Sequence, residues 1–418
     1  MTTPVPSAVE DLRVVMFSNL YPPVISGSST HSSSLARELT RHGCQVSMIT
    51  ARLTEDSPAY EWIDGVHVHR LPAWRLPKLP IALNFPWLNA TFSPGNVRRI
   101  EAILDERQPH VLHLHNHMFD LGFSAVLMSR RRQLPLVCTI HTMIRHANPL
   151  WNLLLYPADR LFLRHAVIRN VDVLISPDIN ISQYAAHAFQ RRDSVLIPYG
   201  VALNDTSTPM EIERERTEHD LAGKRVILSL GHVHEIRNRR DLVAAMPAIL
   251  KAVPNALLLI VGAVSTNIPV QLAQELGVAD AVRFTGPIPH RRVPALLALA
   301  EMEAHWLNQD APEHTSLGVA SLEAMGAGKT VLAAASPDSY GKGMLRSGEN
   351  CVLVAPDQPQ PLARTIIGLL QDPMRRARIG SQARQVVRQH FSLNAVCQAT
   401  IRVYRSVCRE TNIPRIAA

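Results

Sequence analysis

The chain of 418 residues is 46% hydrophobic and 5% aromatic, with a formal net charge of +8. That length is too great for one ordinary core and suits two domains, and the apolar content excludes wholesale disorder. The shortage of aromatics argues against a sugar-binding β-module lined with tryptophans, and the positive charge fits a partner bearing phosphate: a nucleotide, a nucleic acid or an anionic membrane surface. The five cysteines, Cys44, Cys138, Cys351, Cys397 and Cys408, are scattered without a Cys-x-x-Cys pair. Neither a zinc knuckle nor a disulfide framework is expected from them, and a reducing cytosol is the expected home. Met1–Asp11 lacks the basic flank and apolar core of a signal peptide, and the longest apolar run, Ala256–Val264, is far short of a bilayer span. The expected location is therefore cytoplasmic, with peripheral membrane contact left open.

Arg13–Phe17 reads as a short apolar strand, followed by a loop, Tyr21–His31, that holds Pro22, Pro23 and Gly27 and several serines able to donate. Leu35, Ala36, Leu39 and His42 recur at helical spacing until Gly43, and Val46–Thr50 is the next strand, so the chain opens as a βαβ unit. Strands continue at Val66–Leu71, Val111–His115, Leu136–Ile140, Val171–Ser176 and Val195–Pro198, with helical segments at Val97–Glu106 and Trp151–Ile168. Strands alternating with helices predict a parallel sheet covered on both faces. From Leu203 to Lys224 the texture turns polar and then charged, Glu211–Asp220, which reads as a linker and the start of a second domain. Alternation resumes with strands Arg225–Leu230, Ala256–Val261, Val282–Thr285 and Ala304–Leu307 and a helix Arg239–Val253. It closes on a long helix, Leu393–Arg409, with Ser392 as its N-cap. The fold class is α/β, two doubly wound domains of the same design.

The stretch Pro312–Ala334 organises the second half. A polar loop, Glu313–Ser316, passes through Leu317 into a helix that starts near Gly318, stops at Gly326 and Gly328, and gives way to a buried strand, Thr330–Ala334. A loop entering a helix at glycine is a ready anion site, because first-turn N–H groups lack intrahelical partners and glycine admits close approach. Glu323 lies one and a half turns in, where it could reach a sugar hydroxyl beside a phosphate; an ordinary core helix with one exposed carboxylate fits the same residues. Before it, the strand ending at Gly231 runs into a basic loop. Arg237, nearest the strand end, is the expected phosphate ligand, while Arg239 and Arg240 read as a solvated basic face. In the first half, His113, His115 and His117 alternate and would share one face of a strand. Three histidines could bind zinc, but no carboxylate or cysteine lies at a recognisable spacing, and a polar wall at the strand end is the expectation. His141, in Thr139-Ile140-His141-Thr142, fits either a donor to a sugar hydroxyl or a structural histidine.

Several of these segments also carry a resemblance. Pro22-Pro23-Val24-Ile25-Ser26-Gly27, with His31 after it, is similar to a Pro-Pro-x-x-Gly-Gly loop in which Ser26 takes the first glycine. Ile197-Pro198-Tyr199-Gly200-Val201 resembles an Ile-Pro-Asn-Gly-Val segment. Gly231 through Asn238 resembles a Gly-Arg…Lys-Gly loop, with His232 at the arginine and Arg237 at the lysine. Phe284-Thr285-Gly286 matches a Phe-x-Gly turn, and Leu322-Glu323-Ala324-Met325 with Gly328 is the most specific match. The chain resembles, from Arg13 to about Arg409, the retaining glycosyltransferases of family 4, glycosyl transferases group 1, with the GT-B fold.

The resemblance implies two Rossmann-like domains facing across a cleft. Residues 1–202 would bind the acceptor, residues 203–391 the nucleotide-sugar donor, and residues 392–418 would form a helix crossing back to the first domain. It implies transfer of a sugar from a UDP- or GDP-sugar to an acceptor hydroxyl with retained configuration, the acceptor being a sugar or a lipid-linked or cell-envelope glycan. Arg237 and the backbone around Ser316, Leu317, Gly318 and Val319 would neutralise the diphosphate. Glu323 would accept from the ribose hydroxyls, and Gly231 would belong to the donor loop. His141 would hold the donor sugar, and Gly27 would let its loop approach. No cofactor or metal is implied. One departure matters: the glutamate expected eight residues before Glu323 is Thr315, with Glu313 two residues earlier. Either Glu313 rebuilds the sugar contact, or donor use is altered, or the chain is a non-catalytic nucleotide-sugar-binding protein. Nucleic acid is not an expected partner, since no stacking-aromatic or recognition-helix motif accompanies the charge. Ala73–Trp87, apolar, basic and proline-rich, reads equally as a membrane-facing segment and as an ordinary loop.

Overall fold

The computed structural model describes residues 12–411 except 25, 77–87, 147, 204–206 and 306–315. By its own contacts the chain divides into a first unit, Met1–Gly200 with Leu393–Ala418, and a second, Val201–Ser392. The expected breaks were 202/203 and 391/392. The observed ones differ because the Val201 N–H donates to the Phe391 carbonyl at 2.8 Å and Val201 bridges Ser392, which draws both into the second unit.

In the first unit the strands are β1 (Arg13–Ser18), β2 (Gln45–Arg52), β3 (Tyr60–Ile63), β4 (Val66–Pro72), β5 (Trp74–Leu76), β6 (Leu88–Ala90), β7 (Val111–His115), β8 (Leu136–Thr139), β9 (Val173–Ser176) and β10 (Val195–Leu196). Eight of them form one sheet in the order β10-β9-β8-β7-β1-β2-β4-β3, and β5 and β6 pair separately. All neighbours in the large sheet are parallel except β3 with β4. Val15 and Phe17 enter the core on one face, Val14 and Met16 the core on the other, as the period-2 alternation of a doubly covered strand requires. The C-terminal helix, Leu393–Thr411, supplies Val396, Cys397, Ile401 and Tyr404 to the second of these cores.

The second unit contains β11 (Arg225–Leu230), β12 (Ala256–Val261), β13 (Val282–Phe284), β14 (Ala300–His305), β15 (Thr330–Ala333) and β16 (Val352–Leu353). They form a parallel sheet in the order β13-β12-β11-β14-β15-β16. Read from its first strand this is the doubly wound order 3-2-1-4-5-6. Leu258 and Ile260 point into one core and Leu257, Leu259 and Val261 into the other. In each sheet the order reverses beside the first strand, between β1 and β7 and between β11 and β14. Ligands of open α/β sheets bind at such reversals, beyond the C-terminal strand ends.

Four element expectations need correction. The loop expected through His31 ends at Ser26, because Ser26 and Ser29 form a capping box that starts the helix Gly27–Arg41. The charged run, expected as linker and start of the second domain, is largely a helix, Pro209–Glu218, capped by Thr208 and Glu211 in the same way and lying within the second unit. The single helical segment Trp151–Ile168 is a helix, Pro149–Pro157, continued by a π-turn, Ala158–Leu163, and two short turns. The strand expected at Ala304–Leu307 begins earlier, at Ala300, and Leu307 lies outside the described residues. Its Glu301 and Glu303 disguise it as surface; in fact Arg225 and Arg376 pair with Glu301, and Glu303 is fully buried.

Candidate active site

At the reversal of the second unit, β11 ends in Leu230 and the chain turns through Gly231 at φ +108°. The neighbouring β12 ends at Val261 and is followed by Gly262, φ +144°, where an added Cβ would lie 2.4 Å from the Gly231 carbonyl oxygen. Two backbones thus touch at this point, and only glycine at 262 allows it. The following 3-10 turn, Glu235–Arg237, brings Arg237 to a half-buried position, where desolvation lowers its guanidinium pKa.

Arg239 corrects the sequence expectation. It is fully buried, at φ +62°, and all of its nitrogens serve the loop. Nε donates to Ser229 Oγ at 2.8 Å, Nη1 to the Arg237 carbonyl at 2.7 Å and Nη2 to the Leu230 carbonyl at 3.0 Å. A guanidinium presents five donors in a rigid fork, so one side chain fixes the strand end and the turn bearing Arg237 together. Burial lowers it to about 10, partly offset by Glu303, so it remains a cation at neutral pH. Arg240 is held by Asp357 at 2.7 Å and is not a free basic face either.

Across the reversal, β14 ends at His305, and the helix Val319–Gly326 begins at Gly318, its N-cap. Ser321 and Leu322 N–H groups both donate to the Gly318 carbonyl, at 3.0 and 3.2 Å. Those of Val319 and Ala320 have no intrahelical acceptor, as at any helix start. Leu317 is buried, its carbonyl accepting from the Tyr340 hydroxyl at 2.7 Å, and Ser316 is half-buried. A Cβ on Gly318 would lie 3.2 Å from the His305 ring, so the missing side chain makes room for that imidazole. His305 is buried, neither ring nitrogen has a hydrogen-bond partner among the described residues, and desolvation with nearby Arg239 and Arg237 holds it neutral, well below its ordinary pKa. Beneath the helix Glu303 accepts from Ser321 Oγ at 3.0 Å. Burial pushes its carboxyl up to about 8, against the pull of Ser321 and Arg239.

Glu323 projects from the same helix, with 19% of its side chain exposed, and its Oε1 is 2.8 Å from His290 Nε2. This hydrogen bond raises the His290 pKa. A cavity of about 240 Å³ opens there and runs past Gly326 and Ala327 to Lys329, toward the helix end opposite Gly318. Thr315 and Glu313 lie outside the described residues.

In the first unit the reversal gathers imidazoles. His115 Nδ1 and His141 Nε2 share a hydrogen bond of 3.0 Å, and His141 Nδ1 is 3.1 Å from the Tyr199 hydroxyl. The His31 ring closes the group, 5.4 Å from His141 and 4.9 Å from Tyr199 between centroids. His113 stands behind, between Thr139 Oγ1 at 2.8 Å and the Tyr404 hydroxyl at 2.6 Å. Desolvation lowers His31 to about 4 and His113 to about 3, and holds His115 and His141 well below the ordinary value. All four are neutral at pH 7. The expectation that three alternating histidines share a face holds only for His113 and His115, whose rings are 4.2 Å apart. The strand ends at His115, Asn116 turns at φ +76°, and His117 departs to Asp159 at 3.1 Å. Gly27 is the first residue of its helix, with open space around its Cα.

Sequence reasoning thus named Gly231, Arg237, Gly318 and Glu323, which the structure gathers in one unit, and His141 in the other. It missed Arg239, Glu303, His305, His290 and Tyr199. Signals existed for three of them. Glu303 and His305 are polar residues at alternate positions of a central strand, and Tyr199 stands where the resembled motif has asparagine.

Comparison with known proteins gives this geometry a family. Residues 26–200 match the family described as glycosyl transferase 4-like domain, and residues 211–386 the one described as glycosyl transferases group 1. The chain is 27% identical over 416 residues to the D-inositol 3-phosphate glycosyltransferase of Kineococcus radiotolerans, covering 92% of this chain and 91% of that one. In fold it is similar to sucrose-phosphate synthase from Thermosynechococcus elongatus, with a TM-score of 0.68 at 19% identity over 96% of this chain and 100% of that one. It is also similar to Anabaena HepE, solved in complex with UDP and glucose, with a TM-score of 0.65 at 17% identity over 94% and 100%. With both units matched and the paired doubly wound sheets in place, the chain belongs to the group 1 glycosyltransferases and has the GT-B fold.

Proposed function

We propose that the protein moves a sugar from a nucleoside diphosphate sugar to an acceptor hydroxyl with retention of configuration, binding the nucleotide in its second unit. The observation that carries this is the placing, at one sheet reversal, of the Gly231 loop with Arg237 and of the open first turn of the helix Val319–Gly326, with Glu323 further along that helix. The bond between the anomeric carbon and the β-phosphate oxygen breaks, an acceptor oxygen bonds that carbon on the same face, and the acceptor proton leaves with the diphosphate. Negative charge grows on the leaving group, so the Arg237 guanidinium and the backbone N–H groups, fixed before reaction, lower the barrier. Glu323 accepts from the ribose hydroxyls, exchanging its His290 partner for them. His141, neutral through burial, contacts the transferred sugar without adding charge. The acceptor is a sugar or lipid-linked hydroxyl. UDP-sugars are the first donors to test, since HepE is described with UDP and with UDP-glucose, and GDP-sugars the second.

Arg237 supplies the cation, and no Asp-x-Asp pair accompanies it in the sequence. Turnover should therefore survive excess chelator; loss restored by one divalent ion would contradict this. A second reading, a nucleotide-sugar-binding protein without catalysis, is favoured by Thr315 at the position of the resembled glutamate. Proton NMR of UDP- and GDP-sugars incubated with the purified chain separates the two. Transfer or slow hydrolysis with a first product of the donor's anomeric configuration supports the enzyme, an inverted product removes retention, and donor binding without turnover supports the second reading.

A further inference from the structure

The helix Pro149–Pro157 runs through its π-turn, Ala158–Leu163, with leucines at 150, 153, 154 and 161, a helical stripe of the kind that normally faces a core. Here it faces out. No residue of Pro149–Pro157 is buried, and Leu150, Leu153, Leu154, Leu161 and Phe162 are 71, 76, 60, 61 and 59% exposed. The element is held from its other side, where buried Asp159 accepts from the Tyr184 hydroxyl and meets His117. Phe162 continues the patch through Phe123, at 5.6 Å, to half-exposed Phe92, 6.1 Å further on. A contiguous apolar surface of this kind marks an interaction site.

Its rim identifies the partner. Between Met143 and Asn170 the only carboxylate is Asp159, and it is buried. Arg145, Arg160 and Arg169 are all exposed. A second copy docking through this face would bring the arginines of this segment against one another, and the carboxylate beside Phe92, Asp120, already accepts from Thr91 and the Phe92 N–H. A bilayer with anionic headgroups satisfies both the leucines and the arginines. We propose that this face docks on an anionic membrane surface, with Leu150, Leu153, Leu154 and Phe162 entering the boundary between headgroups and acyl chains and the arginines meeting phosphates. The proposal stands on this surface alone and is independent of sugar transfer.

Flotation of the full chain with vesicles tests it. Equimolar phosphatidylglycerol and phosphatidylcholine should recover the protein, in a salt-sensitive way, and pure phosphatidylcholine far less. Leu153→Ser with Leu154→Ser should abolish recovery, and Arg160→Glu and Arg169→Glu should each lower the partition constant about fivefold or more. These positions are exposed, so thermal melts should match the parent. The proposal is overturned if anionic vesicles do not recover the parent or if the variants bind as it does. It is equally overturned if the leucine changes convert an oligomer to a monomer with no vesicle binding, which would assign the face to a second copy.

Discussion

Glu323 and His290 form a pair that the nucleotide, in the proposed site, would have to enter. In the free protein the carboxylate accepts from the imidazole at 2.8 Å, on a side chain that is still 19% exposed. Glu323→Ala should weaken UDP binding by about 1.5–3 kcal/mol, the worth of hydrogen bonds to a charged group, while leaving the melting temperature unchanged. Titration calorimetry reads the first and a thermal melt the second, and an unchanged affinity would remove Glu323 from the site. Arg239 behaves differently, because its fork is buried among carbonyls beside Glu303. Arg239→Met should cost about 1.5–3 kcal/mol of stability or more, as for losing hydrogen bonds to a charged group and leaving buried acceptors unpaired. Urea unfolding measures it, and a loss as small as about 1 kcal/mol, typical of surface pairs, would mean that the fork does not hold the loop. At Thr315 the sequence argues alone. A threonine offers one hydroxyl where a carboxylate accepts several bonds and carries charge. Thr315→Glu should therefore reorder kcat/KM among donor sugars while leaving the affinity for the free nucleoside diphosphate nearly intact; an unchanged ranking contradicts a role in sugar selection. The residues legible in the sequence were those sitting in a motif beside a strand end. Arg239 was not legible, since a run of arginines looks the same whether it faces solvent or folds back on its own strand.

Elements were legible where the apolar period was clean, as in β11 and β12, and obscured where polar residues are buried. β14 carries Glu301, Glu303 and His305 on one face, so its start at Ala300 was hidden until their partners were known. The histidines of β7 and the loops around it show the same effect and have a consequence in solution. His31 and His113 are lowered to about 4 and about 3, with His115, His141 and His305 also held neutral by burial. An unfolded histidine titrates near 6.5. The stability these neutral groups contribute is present above that value and is lost as pH falls through their folded pKa values. Glu303, raised to about 8, acts in the opposite sense, favouring the fold at low pH and opposing it as pH rises through its folded value. One carboxyl does not balance five imidazoles, so the melting temperature should drop steadily from pH 6.5 toward 4. His113→Gln should flatten the slope; a melting temperature constant over that range would contradict the burial assigned to these rings.

At the scale of the molecule, both units repeat the same device: a parallel sheet whose order reverses beside its first strand, with polar groups gathered at the strand ends. This was the most legible level, because alternating strands and helices of ordinary length specify a doubly wound design with few alternatives. The return of the C-terminal helix to the first unit, implied by the resemblance, rests on Val396, Ile401 and Tyr404 entering that unit's core. Among the described residues no helix is long and apolar enough to cross a membrane. The central claim is that the donor nucleotide binds between the Gly231–Arg237 loop and the helix that starts at Gly318. Amide hydrogen exchange of the full chain, with and without saturating UDP and again with GDP, tests it most directly. Slowed exchange in Gly231–Asn238 and Val319–Met325 with at least one nucleotide is the predicted result. Protection confined to other segments, or none with either nucleotide, would contradict it.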